Sequence, residues 1–266
     1  MPKNSSLEPR LTRETLETLP KTALHTPRNS TKANVYFVEW NGQKIVVKDI
    51  RNRPIWTRFT VALWLLRREI KALAALETAG LRETPHLRGQ GRDFFAARFC
   101  QGQQLKKFAR GEVQSAVIER VEAALQRAHA AGIVHGDLHR ENILVDENGQ
   151  ISILDWASAS VFGQNKRRLW HEWLALDRRA LAKIKARYAP QLLADEEKLI
   201  LEQGGSPLYR KVREFGFRVR RALGNKKADS MQRSVKTYSK LANSAPESPT
   251  TPPESPTKNT GETPAS

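Results

Sequence analysis

The sequence has 266 residues but only one cysteine, Cys100, which excludes a disulfide within the chain. Such a composition is typical of a reducing compartment. Long hydrophobic runs are also absent. The longest nearly apolar run, residues 59–66, is interrupted by Thr60 and falls far short of the roughly 20 residues that span a bilayer. Residues 1–14 are polar and do not resemble a signal peptide. We therefore expect a cytoplasmic protein that neither is secreted nor spans a membrane.

Acidic residues are scarce relative to basic ones. The chain has 45 lysines and arginines against 28 aspartates and glutamates, so its formal net charge is +17. A surplus of this size indicates an anionic partner. Charge alone does not choose among a nucleotide, a nucleic acid and an anionic lipid surface.

The C-terminal end lacks the side chains that build a core. Residues 243–266 contain no aromatic side chain, alanine is their only apolar residue, and Pro-Glu-Ser-Pro-Thr occurs at 246–250 and again at 253–257. Such a segment cannot bury enough apolar surface to offset the entropy of ordering it. We therefore predict a flexible to disordered tail over residues 226–266, and a loosely ordered segment over residues 1–30.

Between these ends, the pattern predicts strands first and helices later. Alternating residues on either side of Asn41-Gly42 predict a β-hairpin over 34–48. The other predicted elements are a helix at 57–76, an extended segment at 94–99, a helix at 113–131, a second hairpin at 143–154, and helices from about 170 to 223. This order indicates an α+β fold with a small β-rich part and a larger α-rich part.

The most informative stretch is His135-Gly-Asp-Leu-His-Arg-Glu-Asn142, which leaves a helix and enters the second hairpin. Asp137 and Asn142 lie five residues apart in this loop. Asp155 follows the last strand of the hairpin, which brings it back beside Asn142. Carboxylate and amide oxygens are ligands that suit Mg²⁺. The sequence therefore predicts a magnesium site here.

Phosphates bound to that metal also need positive charge from the opposite side. Lys48 ends the first hairpin and is the candidate. A lysine that faces a cleft needs a carboxylate to fix its position, and Glu69 in the first long helix is the candidate partner.

At these residues the sequence resembles the protein-kinase superfamily, in its small bacterial branch of lipopolysaccharide-kinase-like and RIO-like proteins. The resemblance covers roughly residues 34–223. The family elements occur in family order, namely Val47-Lys48, Glu69, the loop 135–142, and Leu154-Asp155-Trp156. Residues 48–56, 65–69 and 181–190 are similar to that branch as well.

The resemblance implies a two-lobed fold over residues 31–225, with an N-lobe to about residue 100 and a C-lobe from about residue 101. It implies ATP and Mg²⁺ as cofactors and transfer of the γ-phosphoryl group to a hydroxyl. The implied roles are Asp137 for the proton of the substrate hydroxyl, Asn142 and Asp155 for Mg²⁺, Lys48 paired to Glu69 for the α and β phosphates, and the segment of Arg98, Phe99 and Cys100 for adenine. The form His-Gly-Asp favours a small-molecule or sugar acceptor, specifically a lipopolysaccharide-core sugar or related anionic glycolipid.

The sequence departs from the family pattern at three places. No glycine-rich loop precedes Lys48, so phosphate cradling would fall to Ser30, Thr31 and Lys32. Trp156-Ala157 stands where Phe-Gly is usual. No Ala-Pro-Glu motif follows Asp155, and about 15 residues separate Asp155 from the next predicted helix. We therefore expect no long activation loop switched by phosphorylation.

Other interpretations remain open at this point. The chain also resembles RIO-like serine/threonine protein kinases, and the missing glycine-rich loop is compatible with a catalytically silent binding module. His135 and His139 flank Asp137 in a pattern that a zinc or manganese hydrolase also uses. A basic amphipathic helix predicted at 209–221, with the aromatic and basic residues at 51–64, suggests contact with an anionic membrane surface. A nucleic-acid partner is not expected, because no recognised motif stands out.

Overall fold

An antiparallel sheet of five strands forms the N-terminal part of the structure. The computed structural model describes residues 10–25, 33–55, 61–163 and 169–202. The strands lie in the order β1-β2-β3-β5-β4. Their bounds are β1 Thr22–His25, β2 Asn34–Trp40, β3 Gln43–Asp49, β4 Leu87–Gln90 and β5 Phe94–Arg98.

The predicted hairpin at Asn41-Gly42 is confirmed. Both turn residues have positive φ, 50° and 70°, as a two-residue type I′ turn requires. The pairing of β2 with β3 continues to the far end, where Lys48 lies opposite Val35. On its other side Lys48 pairs with Phe95 of β5. Strands on both sides therefore fix the backbone of Lys48.

Residues 10–25 differ from the loose order predicted for the N-terminal segment. They form a short helix, α1 (Arg13–Thr18), and the edge strand β1. Leu11 and Leu16 are almost fully buried, in a cluster with residues of β2, β3 and β5. Arg13 forms ion pairs with Asp49 at 2.6 Å and Asp93 at 2.5 Å. Contacts with distant residues therefore order this segment.

The C-terminal part is mainly helical. Its elements are β6 (Gln103–Gln104), α3 (Ser115–Ala130), β7 (Ile133–Val134), β8 (Ile143–Val145), β9 (Ile151–Ile153), β10 (Ser160–Val161), α4 (Leu169–Tyr188) and α5 (Asp195–Glu202). The predicted helix at 113–131 and the second predicted hairpin are confirmed as α3 and as β8 with β9. None of the described helices combines the length and the apolar composition that a bilayer span requires.

One of the described helices contacts both the sheet and the helical part. This helix, α2 (Val61–Thr78), packs against the sheet and also against the residues that follow β9. Its buried leucines share one apolar cluster with α3 and with Trp156. The predicted α+β architecture, with a β-sheet part followed by a helical part, is therefore confirmed.

Several predictions concern residues that the structure does not describe. These are the phosphate-cradling residues Ser30, Thr31 and Lys32, the basic helix at 209–221, the C-terminal tail, and Trp56, Arg58 and Phe59 of the aromatic and basic patch.

Candidate functional site

Lys48 on β3 and Glu69 on α2 form an ion pair in the structure. The ammonium Nζ of Lys48 donates to Oε1 and Oε2 of Glu69 at 2.6 and 2.7 Å. Lys48 is held by β3, and the Glu69 side chain is only 7% exposed on α2. A contact between two such positions requires the helix to pack in one place relative to the sheet.

Asp155 completes this group of charges. Its Oδ1 lies 3.6 Å from Nζ of Lys48. Burial on its own lowers the pKa of Lys48, but the nearby charges of Glu69 and Asp155 outweigh burial and raise that pKa above its ordinary value. Lys48 is therefore a cation at neutral pH.

The backbone of Asp155 has an unusual conformation. Its φ of 60° and ψ of 65° lie in the left-handed region, which costs free energy for a residue other than glycine. The next residue, Trp156, is fully buried, and its Nε1 donates to the carbonyl of Ile153 at 2.9 Å. The buried ring fixes the turn. It leaves the Asp155 side chain 31% exposed.

The loop 135–142 is held in place by His135, which is fully buried. Its Nδ1 accepts a hydrogen bond from the backbone N–H of Asp137 at 3.3 Å, so Nε2 carries the proton and donates to the carbonyl of Leu154 at 3.0 Å. Both ring nitrogens are thus engaged by the backbone. This geometry gives His135 no nitrogen for a metal, which argues against the hydrolase interpretation.

Asn142 joins this loop to the strand that leads to Asp155. Its backbone carbonyl accepts from the N–H of Leu154 at 2.7 Å. Its side-chain Nδ2 donates to the carbonyl of Asp137 at 3.2 Å, and the residue is 2% exposed. Because the amide nitrogen is committed, the orientation of the amide oxygen is set.

The oxygen donors of Asn142 and Asp155 fit a magnesium ion better than a transition metal. Within the described ranges, no three side chains of histidine, cysteine, aspartate or glutamate are placed to hold a metal. Mg²⁺ is usually bound by one or two carboxylates together with waters and substrate phosphates. One carboxylate and one amide oxygen are therefore an adequate protein contribution for Mg²⁺.

Arg98, Phe99 and Cys100 lie where β5 leads into the helical part. The backbone N–H groups of Arg98 and Phe99 donate to the carbonyls of His86 and Lys44 at 2.8 and 3.0 Å. The side chains of Phe99 and Cys100 are buried, whereas Arg98 is exposed. Burial also raises the pKa of the Cys100 thiol above its ordinary value. The backbone N–H groups of Arg98 and Phe99 are therefore already hydrogen-bonded within the protein.

Comparison with known proteins agrees with this arrangement. A sequence model of the phosphotransferase enzyme family matches residues 56–161, which include Glu69, the loop 135–142 and Asp155. CBL-interacting protein kinase 16 of Oryza sativa subsp. japonica is 31% identical over 141 residues, covering 49% of this chain and 30% of that protein. The probable serine/threonine-protein kinase PknB of Lactococcus lactis subsp. lactis is 26% identical over 144 residues, covering 50% of this chain and 22% of that protein.

The phosphotransferase family match and the weaker protein-kinase relatives support membership of the protein-kinase-like superfamily. The chain spans less than a third of the length of these two curated relatives. The fold and the order of the site elements support this membership.

Asp177 is a residue of this kinase-like chain that sequence reasoning missed. It lies on α4 with a fully buried carboxylate. Oδ2 accepts from the backbone N–H of His135 at 2.8 Å and contacts Nε2 of His129 at 2.9 Å, and Oδ1 accepts from the N–H of Gly136 at 2.9 Å. A lone aspartate in a helix carries no sequence signal for this role, because its partners lie more than 40 residues away.

Replacing Asp177 is expected to destabilise the kinase-like fold. Asp177→Ala leaves buried N–H groups of His135 and Gly136 without an acceptor, so the free energy of unfolding should fall by roughly 2–4 kcal/mol. Urea unfolding followed by circular dichroism measures this change.

Arg178→Ala is the matched control, since Arg178 is exposed on the same helix. It should change the free energy of unfolding by less than about 0.5 kcal/mol. Equal unfolding midpoints for Asp177→Ala and the unmodified protein would show that Asp177 does not hold the loop.

Proposed function

We propose that this protein is an ATP-dependent kinase that transfers the γ-phosphoryl group of Mg-ATP to a hydroxyl group. The observation that carries the proposal is the Lys48–Glu69 ion pair, with the Asp155 carboxylate 3.6 Å from the same ammonium group. This arrangement presents a fixed positive charge beside an oxygen ligand. Phosphoryl transfer relies on such positioning and on charge neutralisation more than on covalent chemistry.

Lys48 is the proposed ligand of the α and β phosphates. Glu69 accepts from its ammonium group, which has three donors, and Asp155 lies 3.6 Å from the same group. Ser30, Thr31 and Lys32 are proposed to add contacts to the phosphates, because they lie in the segment that joins β1 to β2. For adenine we propose the backbone around Cys100, since the amides of Arg98 and Phe99 are already engaged.

Asn142 and Asp155 are the proposed ligands of Mg²⁺. A magnesium ion bound there would neutralise charge on the phosphates. The protein sets the orientation of both side chains, through the Asn142 hydrogen bond to Asp137 and through the buried Trp156 beside Asp155.

Asp137 is the proposed catalytic residue. Its carboxylate would orient the acceptor hydroxyl and accept its proton during transfer. The backbone of Asp137 is held by His135 and Asn142, so the side chain starts from a fixed loop.

For the acceptor we propose an anionic glycolipid, such as a lipopolysaccharide-core sugar. The net charge of +17 favours an anionic acceptor at an anionic membrane surface. Only 13 residues separate Asp155 from the start of α4, which leaves little chain for the long activation loop of regulated protein kinases. The second candidate is a RIO-like serine/threonine protein kinase. The names of the two matched kinases favour a protein acceptor, but they do not point to the RIO-like branch.

Asp137→Ala is expected to lower turnover by roughly 10²–10⁴-fold, the contribution of a positioned general base. Binding of Mg-ATP should change little, because Asp137 acts on the acceptor. Transfer of label from radioactive Mg-ATP measures turnover, with detergent-dispersed lipopolysaccharide and a generic protein mixture as separate acceptors.

Glu147→Gln is the control for a lost negative charge, since Glu147 is exposed in the turn of the second hairpin. Label in the glycolipid that disappears in Asp137→Ala supports the glycolipid kinase. Label in protein alone makes the protein kinase the better description. Label in neither, without binding of Mg-ATP, would leave a catalytically silent module.

Asp155→Ala is expected to abolish the dependence of ATP binding on Mg²⁺, because it removes the only carboxylate proposed for the metal. Calorimetry with ATP, with and without MgCl₂, measures this dependence. An unchanged Mg²⁺ dependence in the variant would contradict the role of Asp155 as a metal ligand.

A further inference from the structure

Arg68 lies next to Glu69 on α2, and it contacts the chain that follows Asp155. Its Nε donates to the carbonyl of Ala159 at 2.6 Å. Its Nη2 donates to the carbonyl of Ser158 at 2.8 Å and to Oγ of Ser160 at 2.9 Å. One guanidinium therefore binds three consecutive residues just beyond the Asp155 turn.

Two tryptophans hold the same guanidinium. Its carbon Cζ lies 4.9 Å from the ring centroid of Trp64 on α2 and 5.6 Å from that of Trp173 on α4. Both distances are within the range of cation–π attraction. Burial lowers the pKa of Arg68 from its ordinary value, but arginine remains charged in proteins. Arg68 thus joins α2, the segment 158–160 and α4.

The loop that carries Asp137 packs against this same group. Gly136 has a φ of 78°, and a Cβ placed there would lie 2.7 Å from the carbonyl oxygen of Ser158 and 3.0 Å from Cζ3 of Trp173. The backbone before Asp137 therefore lies directly on two of the residues that Arg68 contacts. A shift of the segment 158–160 would therefore also displace this loop.

We propose that Arg68 is a positioning residue that locks α2 to the segment 158–160 and thereby keeps Glu69, Asp155 and the loop of Asp137 in a single arrangement. These contacts need no covalent modification, since the acceptors are two backbone carbonyls and a serine hydroxyl. The effect of Arg68 on turnover rests on the proposed kinase function. The effect of Arg68 on the position of the segment 158–160 does not rest on it.

The neighbouring Arg67 supplies a matched comparison. Arg67 has the same charge on the same helix, but its side chain is exposed. If Arg68 acted only through the general positive charge of α2, the two arginines would be equivalent. The hydrogen bonds of Arg68 predict that they are not.

Hydrogen exchange followed by mass spectrometry tests the lock without any assay of activity. In Arg68→Ala, the amides of residues 157–161 should exchange roughly tenfold faster or more, because three hydrogen bonds to this segment are lost. In Arg67→Ala their exchange should match the unmodified protein. Equal exchange in the two variants would overturn the proposal.

Kinetics then test the consequence for the site. At a temperature where every variant is folded, kcat should fall by roughly 10–100-fold in Arg68→Ala, because misplaced catalytic groups slow the reaction. Arg68→Lys keeps the charge and part of the hydrogen bonding, so it should recover part of both kcat and exchange protection. If Arg68→Ala only lowers the melting temperature and leaves kcat unchanged, Arg68 stabilises the fold but does not position the site.

The two proposals can fail separately. If the unmodified protein transfers no phosphate, the kinase function fails, and hydrogen exchange still decides the lock. If Arg68→Ala does not fold, the same measurements on Arg68→Lys test the proposal. The amides of residues 157–161 should then exchange faster in Arg68→Lys than in Arg67→Ala. Equal exchange in these two variants would contradict the proposal.

Discussion

The arrangement of the site depends on one ion pair, between Lys48 of the sheet and Glu69 of α2. Two opposite charges that lose contact with water are costly unless each is paired and hydrogen-bonded, and both oxygens of Glu69 accept from Lys48. The pair therefore requires α2 to pack against the sheet in one place. Asp155, 3.6 Å from the same ammonium, ties the helical part to that arrangement.

A second set of contacts places the loop that carries Asp137. His135, Asn142 and Asp177 hold its backbone from His135 to Asp137. The two sets are joined by Arg68, which lies beside Glu69 in sequence and binds the chain just after Asp155. The site is thus formed from separate elements that must pack together before its charges meet.

Local signals predicted much of this structure from the sequence. The turn at Asn41-Gly42 fixes the register of its hairpin, and that register places Lys48 at a strand end between two neighbouring strands. Residues whose roles come from distant contacts were not predictable in this way. Arg13 orders the N-terminal helix through partners 36 and 80 residues away, and Arg68 reaches carbonyls about 90 residues away. No local pattern encodes contacts of this kind.

The most direct test of this account is the affinity for Mg-ATP, measured by calorimetry on the unmodified protein, Lys48→Met and Lys71→Met. Lys71 is an exposed lysine on α2 and serves as the control. The unmodified protein and Lys71→Met should bind alike, whereas Lys48→Met should bind about tenfold more weakly or worse, since a charged hydrogen bond contributes about 1.5–3 kcal/mol. Equal affinity in Lys48→Met, or no binding by the unmodified protein, would contradict this account.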